Sequence, residues 1–365
     1  MTNNPIKSSS LVGKKESVVD EVLLLNPNQT PLINLVGFST PTTNTTHVWY
    51  EDEMFATTAT ATTAATDADT TIAVSSTEPF VVDAIVDVNE ERLLVTSIDK
   101  VAKTITVERG YSDTTAGPIS VGDQLTFEFV KKAEGSDAAQ ARSKQRVRVD
   151  NYTQIFTETV SVTGSAEEVA QFGIDDLYNY EKAKKQLELA LQLEKALIGG
   201  IKYDDGSVRQ MGGIRQFINT NVTDAAKAKV DLTMLRDIAQ AVFKHGGLAG
   251  GGQYVYIVSP KQKVAISDLQ SDKIRIVQSE TARGQVVDTL VTDFGKFPII
   301  MNNNVKDDEI FFVDINRLAI KPLGNRGFFH KELPEDGDRK SGMVIGEYTL
   351  EFKQEKAHAR IKNLG

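Results

Sequence analysis

The chain has 365 residues, of which 40% are apolar and 25% charged, with a net charge of −9 and no cysteine. That length exceeds one ordinary compact domain and accommodates two or three, and the composition is that of a globular protein. The missing cysteine excludes disulfides, thiolate metal sites and a thiol nucleophile. The acidic balance argues against a sequence-specific nucleic-acid reader, which shows a basic face, and no apolar run approaches the roughly 20 residues of a bilayer span.

The N-terminus, MTNNPIKSSSLVGKKESVVDEVLLL, shows no apolar signal core, so synthesis without export is expected. Residues 1–46 read as an extended arm. Ser17–Leu25 forms two amphipathic turns that Asn26-Pro27 ends, and Pro31–Phe38 is a second short apolar piece. Separate apolar patches of this kind cannot all be buried locally, so the arm is expected to lie across another part of the fold or a neighbouring chain. His47–Phe55 reads as a strand, and the Thr/Ala-rich residues 56–66 as a low-complexity linker. A small all-β unit follows over 65–130, with strands at Thr70–Ser75, Arg92–Ile98, Thr104–Glu108 and Gln124–Val130. Asp99–Lys103 is a hairpin turn, and the short strands suggest a small barrel or sandwich.

Arg142–Thr163 reads as a long strand or a pair of strands. Arg142, Lys144, Arg146 and Arg148 alternate with other residues, which places four cations on one strand face. That face is either solvated or docks against acidic residues of a neighbouring subunit, with Glu51-Asp52-Glu53 as the candidate partner. Ser165 and Glu168 form a capping-box pattern. The strongest helix runs from Asp175 to Ile198, roughly 36 Å long, with Tyr180, Ala183, Leu187, Ala190, Leu191 and Leu197 as its apolar stripe. Glu181–Lys185 and Lys184–Glu188 are expected i,i+4 pairs, Asp175 and Asp176 suit the positive end of the dipole, and Gly199-Gly200 ends the helix. Asp231 caps a helix over Leu232–Lys244, with Leu235, Ile238, Ala239 and Val242 facing inward. Tyr254–Val258 is a buried strand, and Ser259-Pro260 opens a helix through Leu269. Short strands follow from Val286, and Val344–Phe352 and Ala357–Ile361 read as long paired strands. There is no regular βαβ alternation, so the class is α+β.

No catalytic constellation emerges. His47, His245, His330 and His358 are far apart and lack metal-ligand spacing, and His245 suits a helix C-terminus. The glycine run from Gly246 to Gly252 follows a helix and lacks the Lys-Ser/Thr end of a phosphate loop. Glu335-Asp336-Gly337-Asp338 lacks the full calcium-loop pattern, Asp204-Asp205-Gly206 reads as a turn, and there is no Gly-x-Ser-x-Gly elbow. The reading is therefore of a non-enzyme with no cofactor and no metal.

Several segments, in order, carry a resemblance: Asn26-Pro27-Asn28-Gln29-Thr30-Pro31-Leu32, Thr46-His47-Val48-Trp49-Tyr50, Asn151–Val162 leading to Gly173-Ile174-Asp175-Asp176, Met211-Gly212-Gly213-Ile214, Thr292-Asp293-Phe294-Gly295, and Glu347–Glu351 with Glu355–Ala359. Together they resemble the HK97-like major capsid proteins of tailed bacteriophages, over nearly the whole chain except residues 65–130. The resemblance implies an N-terminal arm (1–46) and an extended loop reaching a neighbour (47–64 and 131–162). It also implies a peripheral domain with a long spine helix (163–220 and 324–365) and an axial domain (221–323). The all-β insertion at 65–130 departs from that pattern. The implied function is self-assembly of pentamers and hexamers into an icosahedral head, built in the host cytoplasm and enclosing double-stranded DNA held by non-specific proximity. Portal and scaffold or decoration proteins are the further implied partners, with no membrane. Leu32, Leu35, Phe38, Trp49, Tyr50, Arg146 and Arg148 are the candidate subunit contacts. Some relatives join subunits through Lys–Asn bonds, but no spacing here identifies such a pair. An encapsulin-like nanocompartment shell is the alternative, and a β-rich surface adhesin a more distant one.

Overall fold

A computed structural model of the chain describes residues 30–135, 142–169, 174, 176–248, 251–269, 277–280, 286–334 and 337–365. The turns expected over Ser17–Leu25, and Glu335 and Asp336, lie outside the described residues. The chain forms two compact units, one from the sequence up to Trp49 and from Arg148 onward (the body), the other Tyr50–Val147.

The body begins with helix α1 (Pro31–Val36), whose proline stands in the first turn, where its missing N–H costs nothing. The free N–H groups of Leu32 and Ile33 donate to the two carboxylate oxygens of Glu194 at 2.8 and 3.0 Å. Asn302 Nδ2 donates to the same carboxylate at 2.7 Å. Glu194 is wholly buried. Burial pushes its carboxyl pKa up, and the three hydrogen bonds offset that only in part. Farther along, Ser39 N donates to Ile320 O and Thr42 N to Pro322 O, both at 2.8 Å. Residues 30–42 of the expected arm thus lie on the chain's own body. Strand β1 (Thr46–Glu51) follows.

In the second unit, β2 (Thr58–Thr60), β3 (Thr71–Ala73), β4 (Ala84–Val88), β5 (Glu91–Asp99), β6 (Thr104–Glu108) and β7 (Gln124–Val130) form one antiparallel sheet in the order β2-β7-β4-β5-β6-β3. Its two ends meet. Ala61 bridges Val74, Thr62 N donates to Ala73 O at 2.9 Å, and Ser75 N donates to Thr60 O at 2.8 Å. The sheet is therefore a closed barrel, and closure removes the free edges of an open one. Residues 56–66 are consequently no linker: they supply β2, and Ala59, Ala61 and Ala65 are buried in the barrel core. The hairpin turn is held by Asp99, which accepts from the N–H groups of Val101 and Ala102, each at 2.9 Å.

Below the barrel core sits a buried ion pair. The Arg109 guanidinium grips Glu91 with two bonds of 2.7 and 2.8 Å and donates its remaining protons to the carbonyls of Thr66, Asp69 and Gly117. All five of its N–H groups are used. Burial pushes the Glu91 carboxyl up, but Arg109 and the Gly110 and Gly117 amides outweigh it and hold the pKa below its ordinary value. One side chain thus ties two loops without regular structure, β2–β3 and β6–β7, to the start of β5.

Returning to the body, β8 (Val147–Tyr152) pairs with β1, and β9 (Gln154–Thr163) follows. Helix α2 (Gly164–Glu168) is capped by Thr163, whose hydroxyl accepts from Ala166 N, rather than by Ser165. Helix α3 (Leu177–Gly199) is capped by Asp176 through Asn179 N at 2.8 Å. Its buried side chains are Tyr178, Leu189, Leu193, Glu194, Leu197 and Ile198. The expected stripe is thus displaced, with only Leu197 shared and Ala183 exposed. Its ion pairs also sit at i,i+3, Lys184–Glu181 at 3.7 Å and Lys185–Glu188 at 2.6 Å, instead of i,i+4. A hairpin, β10 (Tyr203–Asp204) with β11 (Arg209–Gln210), follows the helix. Gly213 opens helix α4 (Ile214–Phe217) where a Cβ would lie 2.6 Å from Ala196 O and 2.7 Å from Gly200 N, so only glycine permits this close approach to the end of α3.

The remaining elements are β12 (Val222–Asp224), α5 (Leu232–Lys244), β13 (Tyr254–Val258), α6 (Pro260–Ser267), β14 (Val277–Glu280), β15 (Val286–Thr292), β16 (Gly295–Met301), β17 (Ile310–Asp314), β18 (Leu318–Pro322), β19 (Phe329–Glu332), β20 (Arg339–Phe352) and β21 (Ala359–Lys362). Seven strands form a mixed sheet, β12-β21-β17-β13-β16-β15-β14. Its central strands divide two cores by strict alternation. Val255, Ile257, Phe311 and Val313 enter the core shared with α3, whereas Tyr254, Tyr256, Val258, Ile310 and Phe312 enter the core under α5. Asp231 caps α5, and Leu235, Ile238, Ala239 and Val242 are buried as expected.

The second sheet is built on β20, which pairs with β9 along one edge and with β19 and β18 along the other. β20 and β21 are therefore not partners, since β21 hydrogen-bonds into the seven-stranded sheet. Two buried carboxylates on β20 anchor the surrounding segments. Glu347 accepts from Thr153 Oγ1 at 2.7 Å and pairs with Arg209 and Arg326 at 3.3 and 2.9 Å. Glu351 pairs with His47 at 2.7 Å, Lys321 at 3.1 Å and Lys353 at 2.7 Å. Burial alone would raise the pKa of Glu351, but His47, Lys353 and Lys321 hold it far below the ordinary value of 4.5.

Three outcomes follow for these buried groups. Glu194→Gln turns an amide N–H₂ toward a backbone N–H and should destabilise the body by about 1–3 kcal/mol, read as a lower urea midpoint together with faster proteolysis near residues 37–45. Glu351→Gln should cost about 2 kcal/mol at pH 7. A depressed carboxyl stabilises the fold above its unfolded pKa and loses that contribution as pH falls below 4.5, so the variant's melting temperature should depend less on acid than the wild type's. Arg109→Ala leaves Glu91 buried without its partner and should cost the barrel about 3–5 kcal/mol, seen as lost hydrogen-exchange protection in β2–β7 with the body unchanged.

Candidate assembly surfaces

The seven expected contact residues fall into two groups. Leu32 and Trp49 are only 2% and 7% exposed and belong to the body's own core, with Leu35 packed partly against it. Trp49 leans on Phe217, its ring centroid 6.0 Å away. Whatever neighbours exist, these side chains first hold the fold. The other four reach the surface. Phe38 is 54% exposed, although one face lies against Tyr348 at 5.2 Å. Tyr50 is 67% exposed, and Arg146 and Arg148 are exposed.

The cationic run is not one strand face. β8 begins only at Val147, so Arg142, Lys144 and Arg146 precede it in irregular chain. There they serve the second unit. Arg142 lies over the Phe55 ring at 4.3 Å. Lys144 pairs with Glu78 at 2.8 Å and Glu53 at 3.6 Å, and Arg146 pairs with Asp52 at 3.5 Å. The acidic stretch expected to wait for a neighbour's cations is thus partnered within its own chain. Such exposed pairs are each worth little energy and leave both groups able to exchange partners. Arg148 makes no ion pair among the described residues.

Sequence reasoning passed over an uncovered apolar feature of the body. The loop after α3 holds the β10–β11 hairpin, turned by Asp205, which accepts from the N–H groups of Ser207 and Val208. Around it Ile201 is 68% exposed, with Tyr203 and Val208 about half exposed. The apolar residues flanking Asp204-Asp205-Gly206 were the available signal. They alternate with polar ones around a turn, which marks a hairpin but not whether its face is covered.

The histidines serve the fold. His358 is fully buried; burial lowers its pKa to about 3, so it is neutral. Its Nδ1 accepts from Asp314 N at 3.2 Å, and its Nε2 lies 3.1 Å from Lys353 O. His330 meets the Tyr178 hydroxyl at 2.9 Å, and His245 is the C-cap of α5. Among the described residues no group of His, Asp and Glu is arranged to hold a metal ion, and no helix is long and apolar enough to cross a membrane.

Comparison with known proteins gives these surfaces their context. The family model described as SU10 major capsid protein matches residues 2–365. The major capsid protein of Escherichia phage Phieco32 is 31% identical over 121 residues, 32% of this chain and 33% of that protein, so the match spans a third of that relative's length. The capsid of a native GTA particle superposes with a TM-score of 0.54 at 10% identity, over 97% of this chain and 96% of the other. The Gordonia phage Cozz structure gives 0.50 at 11% identity, over 100% and 98%. These two likenesses establish the HK97-like α+β fold. The match over almost every residue establishes more: the chain belongs to the SU10 major capsid protein family.

Proposed function

We propose that copies of this chain form pentamers and hexamers that tile an icosahedral head around double-stranded DNA. In this reading 163–220 with 324–365 make the peripheral domain and 221–323 the axial domain, while the hairpin arms within 47–64 and 131–162 reach a neighbour. Tyr50, Arg146, Arg148 and Phe38 are its exposed contact side chains. DNA is held by proximity to an acidic wall that does not bind it, and portal, scaffold or decoration proteins join from outside the chain. Assembly takes place in the host cytoplasm, and no catalysis or cofactor is involved. Membership in a capsid-protein family favours this over a cargo-enclosing nanocompartment or an adhesin.

The observation that carries the reading is the hairpin after α3. A two-stranded hairpin is marginal on its own, yet this one holds Ile201, Tyr203 and Val208 toward solvent. Uncovered apolar side chains that a single copy does not bury are what repeated contacts between copies would bury.

Negative-stain microscopy of the purified protein should show closed particles. Tyr203→Asp with Val208→Asp should leave a folded, soluble subunit but cut the particle yield roughly tenfold or more, as expected for loss of a central apolar anchor. A wild-type chain that stays a compact monomer at high concentration would sink the proposal.

A further inference from the structure

A free strand edge is a row of backbone groups able to pair with another chain, and folded proteins keep such edges short, charged or covered. The body does so at most of its sheet ends. The seven-stranded sheet ends on β12 and β14, of three and four residues. The outer edge of β18 is covered by the chain itself, since Ser39 N and Thr42 N donate to Ile320 O and Pro322 O. β19 has four residues and carries Lys331 and Glu332. β9 is different: it runs for ten residues with no proline, no lysine and no bulge in its register with β20.

The bonds of β20 fix which groups of β9 face outward. Leu333 N donates to Ser341 O and Leu323 N to Glu347 O, so the odd-numbered residues of β20 turn toward β19 and β18. Its even-numbered residues turn toward β9, where they meet Phe156, Glu158, Val160 and Val162. The N–H and C=O groups of Ile155, Thr157, Thr159 and Ser161 therefore point away from the sheet. Thr45 O closes this outer edge at Thr153, accepting from its N–H at 2.8 Å, but no described backbone group pairs with it from Ile155 to Ser161. The side chains of the same four residues are exposed.

Among the described residues, only another β9 offers a free edge of matching length. Two such edges run antiparallel about a two-fold axis, a self-complementary contact. Local features select the register. An axis at Glu158 sets two like charges directly opposite, which destabilises a strand pair. An axis at Thr157 sends the second copy's Ser161 into the place that Thr45 holds. An axis at Thr159 avoids both, because the second copy's strand then stops opposite Ile155. It sets Thr159 against Thr159 and Thr157 against Ser161, hydroxyl to hydroxyl, as Ser161 Oγ already meets Ser341 Oγ at 2.9 Å within the sheet. Glu158 keeps Gln192 at 2.9 Å and Lys185 at 3.6 Å. We infer that β9 pairs edge to edge with β9 of a second copy, antiparallel and centred on Thr159, so that two bodies share one continuous sheet. This rests on the shell reading only for the presence of that second copy.

The chain has no cysteine, so Thr159→Cys in the full chain installs a single thiol. In the inferred register two such thiols sit on opposite residues with Cα atoms about 5.5 Å apart, inside the roughly 4.4–6.8 Å that a disulfide spans. Mild oxidation of assembled particles should move most of the chain into a dimer band on a non-reducing gel. Val101→Cys, at a barrel position that is 95% exposed, gives the background of chance collisions. Thr159→Lys sets two cations opposite each other. It should leave the melting temperature of the subunit unchanged and cut the particle yield roughly tenfold or more. Thr159→Cys particles without a dimer band above that background overturn the inference, as does a folded Thr159→Lys chain that assembles in wild-type yield. If the wild type forms no particles, the shell reading fails, and the same gel on the concentrated soluble chain still decides the edge: a dimer band supports the pairing and its absence refutes it.

Discussion

A strand hydrogen-bonded along both edges and packed on both faces has no cheap place for a charge, yet β20 carries Glu347 and Glu351 among its most buried residues. Each is tolerable only because several distant segments converge on it. Thr153, Arg209 and Arg326 come to Glu347; His47, Lys321 and Lys353 come to Glu351. The cost of burial thereby becomes a requirement on the fold: the turn after β8, the hairpin after α3 and the start of β1 must all be in place for these two carboxylates to keep their partners. Glu194 imposes a similar requirement with no cation at all, and it is the amides of α1 that satisfy it.

These buried acids explain how a protein without disulfides holds segments far apart in sequence to its central strand. The hairpin arms and the loop after α3 are parts with little core of their own. His47 at the start of β1 and Arg209 in the hairpin after α3 are both tied to the central strand. A shell subunit needs such anchoring. Each contact with another copy can be weak, because the contacts are numerous, but flexible projections would lose much of that gain to ordering entropy.

The barrel follows the opposite plan. It satisfies its strand edges internally, holds its irregular loops with one guanidinium, and presents an acidic exterior. Like the body, however, it also exposes large apolar side chains, among them Val82, Val101, Val121 and Phe129.

Local chemistry was legible from the residues. The cap at Asp231, the inward face of α5, the strands at Thr104–Glu108 and Gln124–Val130, and the Asp99–Lys103 turn all depend on neighbours within a few positions, so spacing was enough to find them. The ordered family segments were likewise sufficient to name the fold. The candidate contacts were legible only as apolar or basic residues in projecting segments. Which of them a neighbour could reach depended on the chain's own packing, which claimed Leu32 and Trp49 and left Phe38 and Tyr50 outside. Tertiary structure alone decided that the Thr/Ala run closes a barrel, that the cations before β8 meet acids of the same chain, that α3 turns Leu189 and Leu193 inward, and that β20 and β21 part for different sheets. The physical reason is the same in each case. Pairing between residues far apart in sequence is set by burial and hydrogen-bond satisfaction over the whole fold, and no periodicity along the chain records it.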